Sequence, residues 1–368
     1  MPLPQIRLAC LSACLLLAST SGAAAPRHVL LVTLDGLRWQ EVFRGAEEAL
    51  ISTEAGGVPE KEVAALRHSA LAATAEERRR KLMPFFWSEV ATRGQLIGNR
   101  DRGSDMHVAN AEWFSYPGYN ELLCGFADPL ITSNAPIPNR NVTVLEWLQG
   151  RDGFAGRVAA CVSWHVLAAT INVGRSRLPV WVSTQNPALA ARSARFADID
   201  RWMRDIPIKS KDEHYDGFTF HAAREMITLV RPRVLFVGLG EPDTNAHRRR
   251  YDAYLDSITR SDRFIRELWE MLQSIEEYRG NTTLIVTCDH GRGRTGKDWT
   301  SHNKTTPGSN ETWLALLGPG IAPLGERSAH PPVTSAQVAA TVAAAVGENY
   351  RDATPRASAA LAEVPLAR

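Results

Sequence analysis

The sequence is poor in cysteine, nearly balanced in charge and without a long apolar run. Of its 368 residues only five are cysteines, and three of these, Cys124, Cys161 and Cys288, lie beyond the first 25 residues. An odd number of cysteines is not a disulfide framework, and the sequence leaves open whether Cys124 pairs with Cys161. The formal net charge is +2, so the composition indicates neither a nucleic-acid polymer nor a membrane surface as a partner.

The N-terminal residues have the pattern of a secretory signal. Arg7 precedes an apolar stretch at 8–18, and small residues follow at 22–25, so we predict a signal peptide at residues 1–25. The apolar stretch is too short to span a bilayer, and no transmembrane segment is predicted. Residues 11–14 resemble a lipobox, but the apolar stretch before them is too short. We therefore expect an exported protein, periplasmic or secreted, with a lipoprotein as the less favoured alternative.

Buried strands and helices alternate along the rest of the chain. Continuous apolar or β-branched runs at 28–34, 156–162, 233–238, 282–287 and 312–317 predict strands, and 251–275 has the periodicity of a long helix. This alternation predicts an α/β fold with a mostly parallel central sheet between layers of helices, in one domain at residues 26–350. Residues 170–212 lack clean periodicity and are predicted to form a small cap or lid. Residues 351–368 are predicted to form a loose tail.

Residue types that bind metals or attack esters follow several of these strands. They are Asp35, Asp243, His247, Asp289 and His290, with Ser115 after a predicted strand at 108–114 and His302 further along the chain. The carboxyl edge of an open α/β sheet is where ligands bind, so we expect these side chains to converge. Carboxylate and imidazole ligands without thiolate suit Zn²⁺ or Mn²⁺. The sequence therefore predicts a metal site at this edge.

These residues carry a resemblance to a known family. In chain order, Asp35-Gly36, Ser115-Tyr116-Pro117, Glu241-Pro242-Asp243 with His247, and Asp289-His290-Gly291 resemble the motifs of the alkaline phosphatase superfamily. They are most similar to those of its type I phosphodiesterase/nucleotide pyrophosphatase branch. The resemblance implies an alkaline-phosphatase-like α/β/α sandwich and two divalent metal ions, with zinc favoured and manganese as the alternative.

The resemblance also implies a role for each residue. Asp243, His247 and a downstream histidine would hold one metal, with His302 as the candidate and His330 as the next choice. Asp35, Asp289, His290 and the Ser115 oxygen would hold the other. His302 comes earlier than its counterpart in the nucleotide pyrophosphatases, which weakens the branch assignment. Ser115 would be the nucleophile that forms a covalent phosphoseryl intermediate. In this family an asparagine after the nucleophile contacts the phosphoryl oxygens, and both Asn134 and Asn139 are candidates.

We therefore predict a metal-dependent phosphoric ester hydrolase acting on a small-molecule phosphate ester. A diester or nucleotide is favoured modestly, because no arginine beside Ser115 plainly serves a monoester. One alternative is a sulfatase, since Ser115-x-Pro117-x-Tyr119 differs at one residue from the Ser-x-Pro-x-Arg maturation signal. Another is a non-catalytic binding protein on the same scaffold. The sequence gives neither the natural substrate nor the oligomeric state.

A glycine-rich basic segment at 291–297 matches two phosphate-binding patterns, G-x-G-x-x-G and most of a P-loop. Both patterns require a helix that begins at once, so that its amides meet the phosphate. The residues from Asp298 onward are polar and typical of turns, so we do not expect a nucleotide loop. Arg292, Arg294 and Lys297 are interpreted as a solvated run of charge, with attraction of an anionic substrate as the less favoured alternative.

Overall fold

The computed structural model describes residues 28–182, 187–206 and 213–366, so the predicted signal peptide lies outside the described residues. The strands are β1 His28–Leu34, β2 Gln95–Ile97, β3 Met106–His107, β4 Val158–Val162, β5 Val180–Val182, β6 Val234–Leu239, β7 Thr282–Thr287, β8 Glu311–Thr312, β9 Leu314–Leu317, β10 Gly325–Glu326 and β11 Val333–Thr334.

Eight of these strands form the central sheet, in the order β10-β2-β9-β7-β1-β6-β4-β5. Strand β1 lies in its middle and pairs in parallel with both β6 and β7. Strand β9 runs antiparallel to its two neighbours, β7 and β2. The remaining strands form a small sheet in the order β11-β3-β8. The prediction of an α/β fold with a mostly parallel sheet is confirmed.

Helices connect most of the strands. They are α1 Trp39–Arg44, α2 Thr53–Gly56, α3 Glu60–Ala70, α4 Ala75–Leu82, α5 Ala91–Arg93, α6 Ser115–Cys124, α7 Val144–Gln149, α8 Val166–Thr170, α9 Val173–Ser176, α10 Pro187–Ala190, α11 Ala194–Asp205, α12 Asp216–Val230, α13 Glu241–His247, α14 Tyr251–Ser274 and α15 Val338–Ala345. A π-helical turn at Phe86–Val90 precedes α5, and short 3₁₀ turns lie at Glu48–Leu50, Arg100–Arg102, Ser335–Gln337 and Tyr350–Asp352.

The sheet separates two apolar cores. Successive side chains of β1 point to opposite faces, so Leu30 and Val32 enter one core while Val29 and Leu31 enter the other. Helices α12 and α14 cover the first core, and α6, α7 and α15 cover the second. Burial on both faces explains why β1 is mostly apolar, with only His28 and Thr33 polar. Among the described residues, no helix is both long enough and apolar enough to cross a membrane.

Two segments differ from the prediction. The described part of 170–212 is not a separate cap, because β5 extends the central sheet beside β4 and α11 buries Phe196 and Ile199 in the first core. The described residues after 350, up to residue 366, do not form a loose tail either. Their apolar residues Leu361 and Val364 are buried in the second core, without the periodicity of a helix or strand. Such isolated apolar contacts leave no pattern in the sequence.

The three described cysteines, Cys124, Cys161 and Cys288, are free and buried. Burial raises the pKa of each thiol, so these groups are protonated small hydrophobes rather than nucleophiles.

Candidate active site

Ser115 begins helix α6 and does not follow a strand, contrary to the prediction for residues 108–114. The side chain of Asn110 accepts hydrogen bonds from the backbone N–H groups of Glu112 and Trp113, and this turn ends the extended backbone. Trp113 then adopts a φ of 56°, a left-handed conformation that is uncommon outside glycine. The helix starts two residues later, which places the Ser115 hydroxyl at a helix N-terminus.

A glycine brings this helix against the end of β7. A Cβ atom on Gly118 would lie 2.3 Å from the carbonyl oxygen of Asp289, so only glycine fits at this position without a shift. The close approach leaves the Ser115 Oγ 3.3 Å from His290 Nε2. Ser115 and Asp289 are 174 residues apart in the sequence, and this contact brings their two motifs together at one sheet edge.

Each of the two aspartates beside His290 has one anchored oxygen and one unpaired oxygen. Asp35 Oδ2 accepts a hydrogen bond from the Tyr119 hydroxyl, and Asp289 Oδ1 accepts one from the Gly36 amide, both at 3.1 Å. The other oxygens, Asp35 Oδ1 and Asp289 Oδ2, are buried without a hydrogen-bond partner in the described part of the chain. They lie 3.4 and 3.5 Å from His290 Nε2.

His290 directs its second nitrogen at these oxygens. Its Nδ1 lies 2.8 Å from the Gly291 carbonyl, which can only accept, so Nδ1 carries a proton. That hydrogen bond fixes the ring and leaves Nε2 facing the Ser115 hydroxyl and the two unpaired carboxylate oxygens. A histidine anchored in this way is the usual arrangement of a metal ligand.

The electrostatics of the cluster favour a bound cation. Burial, and secondarily the charge of Asp35, raise the pKa of Asp289 well above its usual range. Burial and the charge of Asp243 likewise raise the pKa of Asp35. Burial alone would lower the pKa of His290, but Asp289 and Asp35 raise it to about 9. Repulsion between buried carboxylates with unpaired oxygens is relieved by a divalent ion, so these residues fit one.

A second group of ligand types lies on the neighbouring helix and loop. Helix α13 presents Asp243 and His247 one turn apart, with His247 Nε2 3.1 Å from Asp243 Oδ2. His302 Nε2 lies 2.9 Å from His247 Nε2, and the His302 ring stacks on His290 with 3.9 Å between ring centroids. The structure therefore places His302 with Asp243 and His247. His330 is elsewhere, with its ring nitrogens against the Pro331 carbonyl and the Glu363 carboxylate.

The two groups share one site. Ligand atoms of Asp35, Asp289 and His290 lie within 4.8 Å of one another, and so do those of Asp243, His290 and His302. All the predicted metal-ligand residues are thus brought together at the carboxyl edge of the sheet. Their role as ligands remains a prediction.

The structure gives the two asparagine candidates, Asn134 and Asn139, different surroundings. Asn134 Oδ1 accepts a hydrogen bond from the backbone N–H of Tyr116, the residue after Ser115, and no described residue accepts from its exposed amide nitrogen. The amide of Asn139 is buried and bonds instead to Asn120, Thr170 and Asn141. Asn139 is therefore committed to the interior, and the expectation that it contacts substrate is not supported.

Two residues at the site, Tyr119 and Arg292, were not predicted from the sequence. Tyr119 anchors Asp35, although the sequence pointed to it only as a mismatch to a sulfatase signal. Arg292 was interpreted as solvated, which is wrong, because its side chain is buried and its guanidinium contacts Asp243. Its place two residues after His290, at the sheet edge, was the available signal. The rest of the glycine-rich segment forms turns without a helix, as expected.

Known proteins are similar to this chain in sequence and in fold. The family model described as Sulfatase matches residues 187–348. Human GPI ethanolamine phosphate transferase 1 is 33% identical over 109 residues, which cover 28% of this chain and 11% of that protein. The chain thus matches only about a tenth of the length of this relative.

Solved structures share the fold across most of the chain. The alkaline phosphatase PafA superposes with a TM-score of 0.55 at 11% identity, covering 88% of this chain and 96% of that one. The phosphonate monoester hydrolase SpPMH from Silicibacter pomeroyi gives a TM-score of 0.52 at 12% identity, covering 88% and 74%.

The fold and the site define an α/β protein with acidic and histidine residues gathered at the carboxyl edge of its sheet. The match to the Sulfatase model over residues 187–348, the shared fold and the motifs in their expected order support placing the chain among the enzymes of the alkaline phosphatase superfamily. Members of this superfamily use divalent metals, and this chain has groups of residues that could hold them.

Proposed function

We propose that the protein is an exported, metal-dependent phosphoric ester hydrolase with Ser115 as its nucleophile. The observation that carries the proposal is the surroundings of the Ser115 hydroxyl. It lies 3.3 Å from His290 Nε2, which also faces the unpaired oxygens of Asp35 and Asp289. A hydroxyl among anchored carboxylate and imidazole ligands is the arrangement that metal-assisted nucleophilic catalysis requires.

The residues fit two divalent cations, with zinc favoured by the three histidines. Asp35, Asp289, His290 and Ser115 would hold one, and Asp243, His247 and His302 the other. When bound, these ions would supply positive charge that favours loss of the Ser115 proton and offsets the charge of the phosphoryl group.

The chain itself supplies position and polarity. Helix α6 fixes Ser115 at its N-terminus, where the helix dipole favours an anion. Asn134, next to the first turn of this helix, would donate its free amide to a phosphoryl oxygen. Attack by Ser115 Oγ on phosphorus would form a phosphoseryl ester and release the substrate alcohol. Water would then hydrolyse the bond to serine and restore the hydroxyl, which releases a phosphate monoester from the favoured diester substrate, or inorganic phosphate from a monoester.

The contacts that occupy the Arg292 guanidinium favour a diester over a monoester as the substrate. A monoester carries a second negative charge, for which a nearby arginine is the natural partner. Arg292 is at the site, but its guanidinium is engaged by Asp243 and by the carbonyls of Trp299 and Thr300. It is thus not free to receive that charge.

A sulfuric ester hydrolase is the second candidate, because the matched family model is described as Sulfatase. The tyrosine at position 119 disfavours a sulfuric ester hydrolase. Where the sulfatase maturation signal has arginine, this chain has a tyrosine whose hydroxyl anchors Asp35. The residue therefore serves the carboxylate cluster directly.

Three substrates compared side by side test the proposal: bis-p-nitrophenyl phosphate, p-nitrophenyl phosphate and p-nitrophenyl sulfate, each with and without a chelator. We expect the diester to be hydrolysed fastest and zinc to restore activity after chelation. Ser115→Ala should lower turnover by several orders of magnitude while both metals stay bound. Ser88→Ala, which changes an exposed serine, is the matched control.

Preferred hydrolysis of the sulfate ester would establish the second candidate instead. Near-normal turnover by Ser115→Ala would mean that the serine is not the nucleophile. Export rests on the pattern at residues 1–25, and recovery of the protein in the cytoplasmic fraction would contradict it.

A further inference from the structure

We propose that Arg292 is a positioning residue that clamps the loop carrying His302 against Asp243 and so completes one of the two metal sites. The proposal rests on the function proposed above, because it concerns one set of the residues assigned to the metals.

The guanidinium of Arg292 joins the two parts of this set. Its Nε donates to the Trp299 carbonyl at 3.1 Å and its Nη2 to the Thr300 carbonyl at 2.8 Å. Its Nη1 donates to Asp243 Oδ1. One buried side chain thus ties helix α13 to the loop two residues before His302, with all three of its nitrogens used.

His302 needs this support because its ring has no anchor at Nδ1, and its Nε2 contacts His247 and Asp243, which belong to the site itself. His290 is held by the hydrogen bond from its Nδ1 to the Gly291 carbonyl. The Nδ1 atom of His302 is buried and finds no hydrogen-bond partner among the residues that the structure describes. Metal-ligating histidines normally have such a partner, which sets the ring orientation. Here the hydrogen bonds from Arg292 to the loop backbone, together with stacking on His290, set the orientation of the His302 ring instead.

Arg292 also orients the Asp243 carboxylate. Oδ1, which Arg292 contacts, lies 3.6 Å from His302 Nε2 and 3.9 Å from His290 Nε2, while Oδ2 lies 3.1 Å from His247 Nε2. The contact with Arg292 therefore fixes the direction in which both carboxylate oxygens face the site. A guanidinium beside a ligand also repels a metal by its charge, so removing Arg292 could change metal affinity in either direction. The geometry points to loss of affinity, since orientation of both Asp243 and His302 depends on this residue.

Titration calorimetry of the metal-free protein with Zn²⁺ tests the clamp without relying on activity. Wild type should bind two equivalents tightly. Arg292→Met should bind one equivalent as wild type does and the second about 10- to 100-fold more weakly, as expected for loss of a residue that orients ligands. Arg294→Met removes a nearby exposed arginine that pairs with Glu311 and should bind both equivalents normally.

Arg292→Lys separates geometry from charge and is the milder change should the methionine variant not fold. A lysine keeps the charge, but its single amine cannot bond both carbonyls and Asp243 together, so the second equivalent should again bind weakly. Wild-type or tighter zinc binding by Arg292→Met, or full rescue by lysine, would overturn the clamp. A lower melting temperature of the metal-free variant with two normal zinc equivalents would also overturn it, as a purely structural role. Failure of wild type to bind two equivalents would instead refute the proposed two-metal site.

Discussion

The approach of helix α6 to the end of β7 can be perturbed by a single methyl group. Gly118 lies one turn after Ser115, and a Cβ atom there would lie 2.3 Å from the Asp289 carbonyl oxygen and 3.0 Å from its carbonyl carbon. Ordinary contacts between carbon and oxygen begin at about 3.3 Å. Both neighbours are backbone atoms, which cannot rotate away, so Gly118→Ala must separate α6 from Asp289 by about 1 Å.

This displacement should reduce catalysis more than stability. A shift of about 1 Å between reacting groups can lower the rate about 100-fold, and the Ser115 hydroxyl moves with the helix. Forcing an extra carbon into a packed contact costs about 1 to 3 kcal/mol of unfolding free energy. Replacing glycine by alanine inside a helix returns about 1 kcal/mol, so the net loss of stability should be small.

Turnover of bis-p-nitrophenyl phosphate, zinc content and the unfolding free energy would be measured for Gly118→Ala. Gly217→Ala is the matched control, since Gly217 is a helical glycine in α12 whose Cβ position has no atom within 4 Å apart from its chain neighbours and the backbone of its own helix. We expect the control to keep full turnover and to gain about 0.4 to 1 kcal/mol. Wild-type turnover by Gly118→Ala would show that this contact does not set the position of Ser115.

Two further predictions concern a ligand and a buried acid. His302→Ala should retain one zinc and bind the second weakly, with low activity that excess zinc partly restores; normal zinc content would exclude His302 as a ligand. Burial raises the pKa of Asp262 to about 7, so the folded state binds more protons than the unfolded state between about pH 4 and pH 7. Because of this carboxyl, the free energy of unfolding should fall as the pH rises through that range, by on the order of 4 kcal/mol. Urea unfolding at several pH values should show a flatter profile for Asp262→Asn, and parallel profiles would contradict the burial argument.

The periodic parts of the fold could be predicted from the sequence. The predicted strand at 282–287 has the same bounds as β7, and the predicted helix at 251–275 differs from α14 by one residue. Burial on both faces favours apolar and β-branched residues in β7. Burial of one face gives α14 its regular apolar positions. Because the strand ends were placed correctly, Asp35 and Asp289 could be placed at one sheet edge.

The parts that depend on contacts between distant residues could not be predicted. Residues 108–114 have the composition of a strand, but the turn held by Asn110 prevents one. The residues after 350 have few apolar side chains larger than alanine, and only the presence of the second core shows where Leu361 and Val364 pack. Local pattern does not report such contacts, since they depend on surfaces formed elsewhere in the chain.

The same limit separates the ligands of the site from the residues that orient them. Aspartate and histidine at strand ends suggest metal binding by their chemistry, whereas Tyr119 is an ordinary core residue until the fold is known. Ser115 and Tyr119 are four residues apart on α6, so they project from the same face of the helix. One reaches His290 while the other anchors Asp35, 84 residues away in sequence. A single helix thus places the proposed nucleophile and fixes the oxygen that Asp35 presents. The orientation of the site is therefore a property of how α6 packs, which the identity of the ligands alone does not determine.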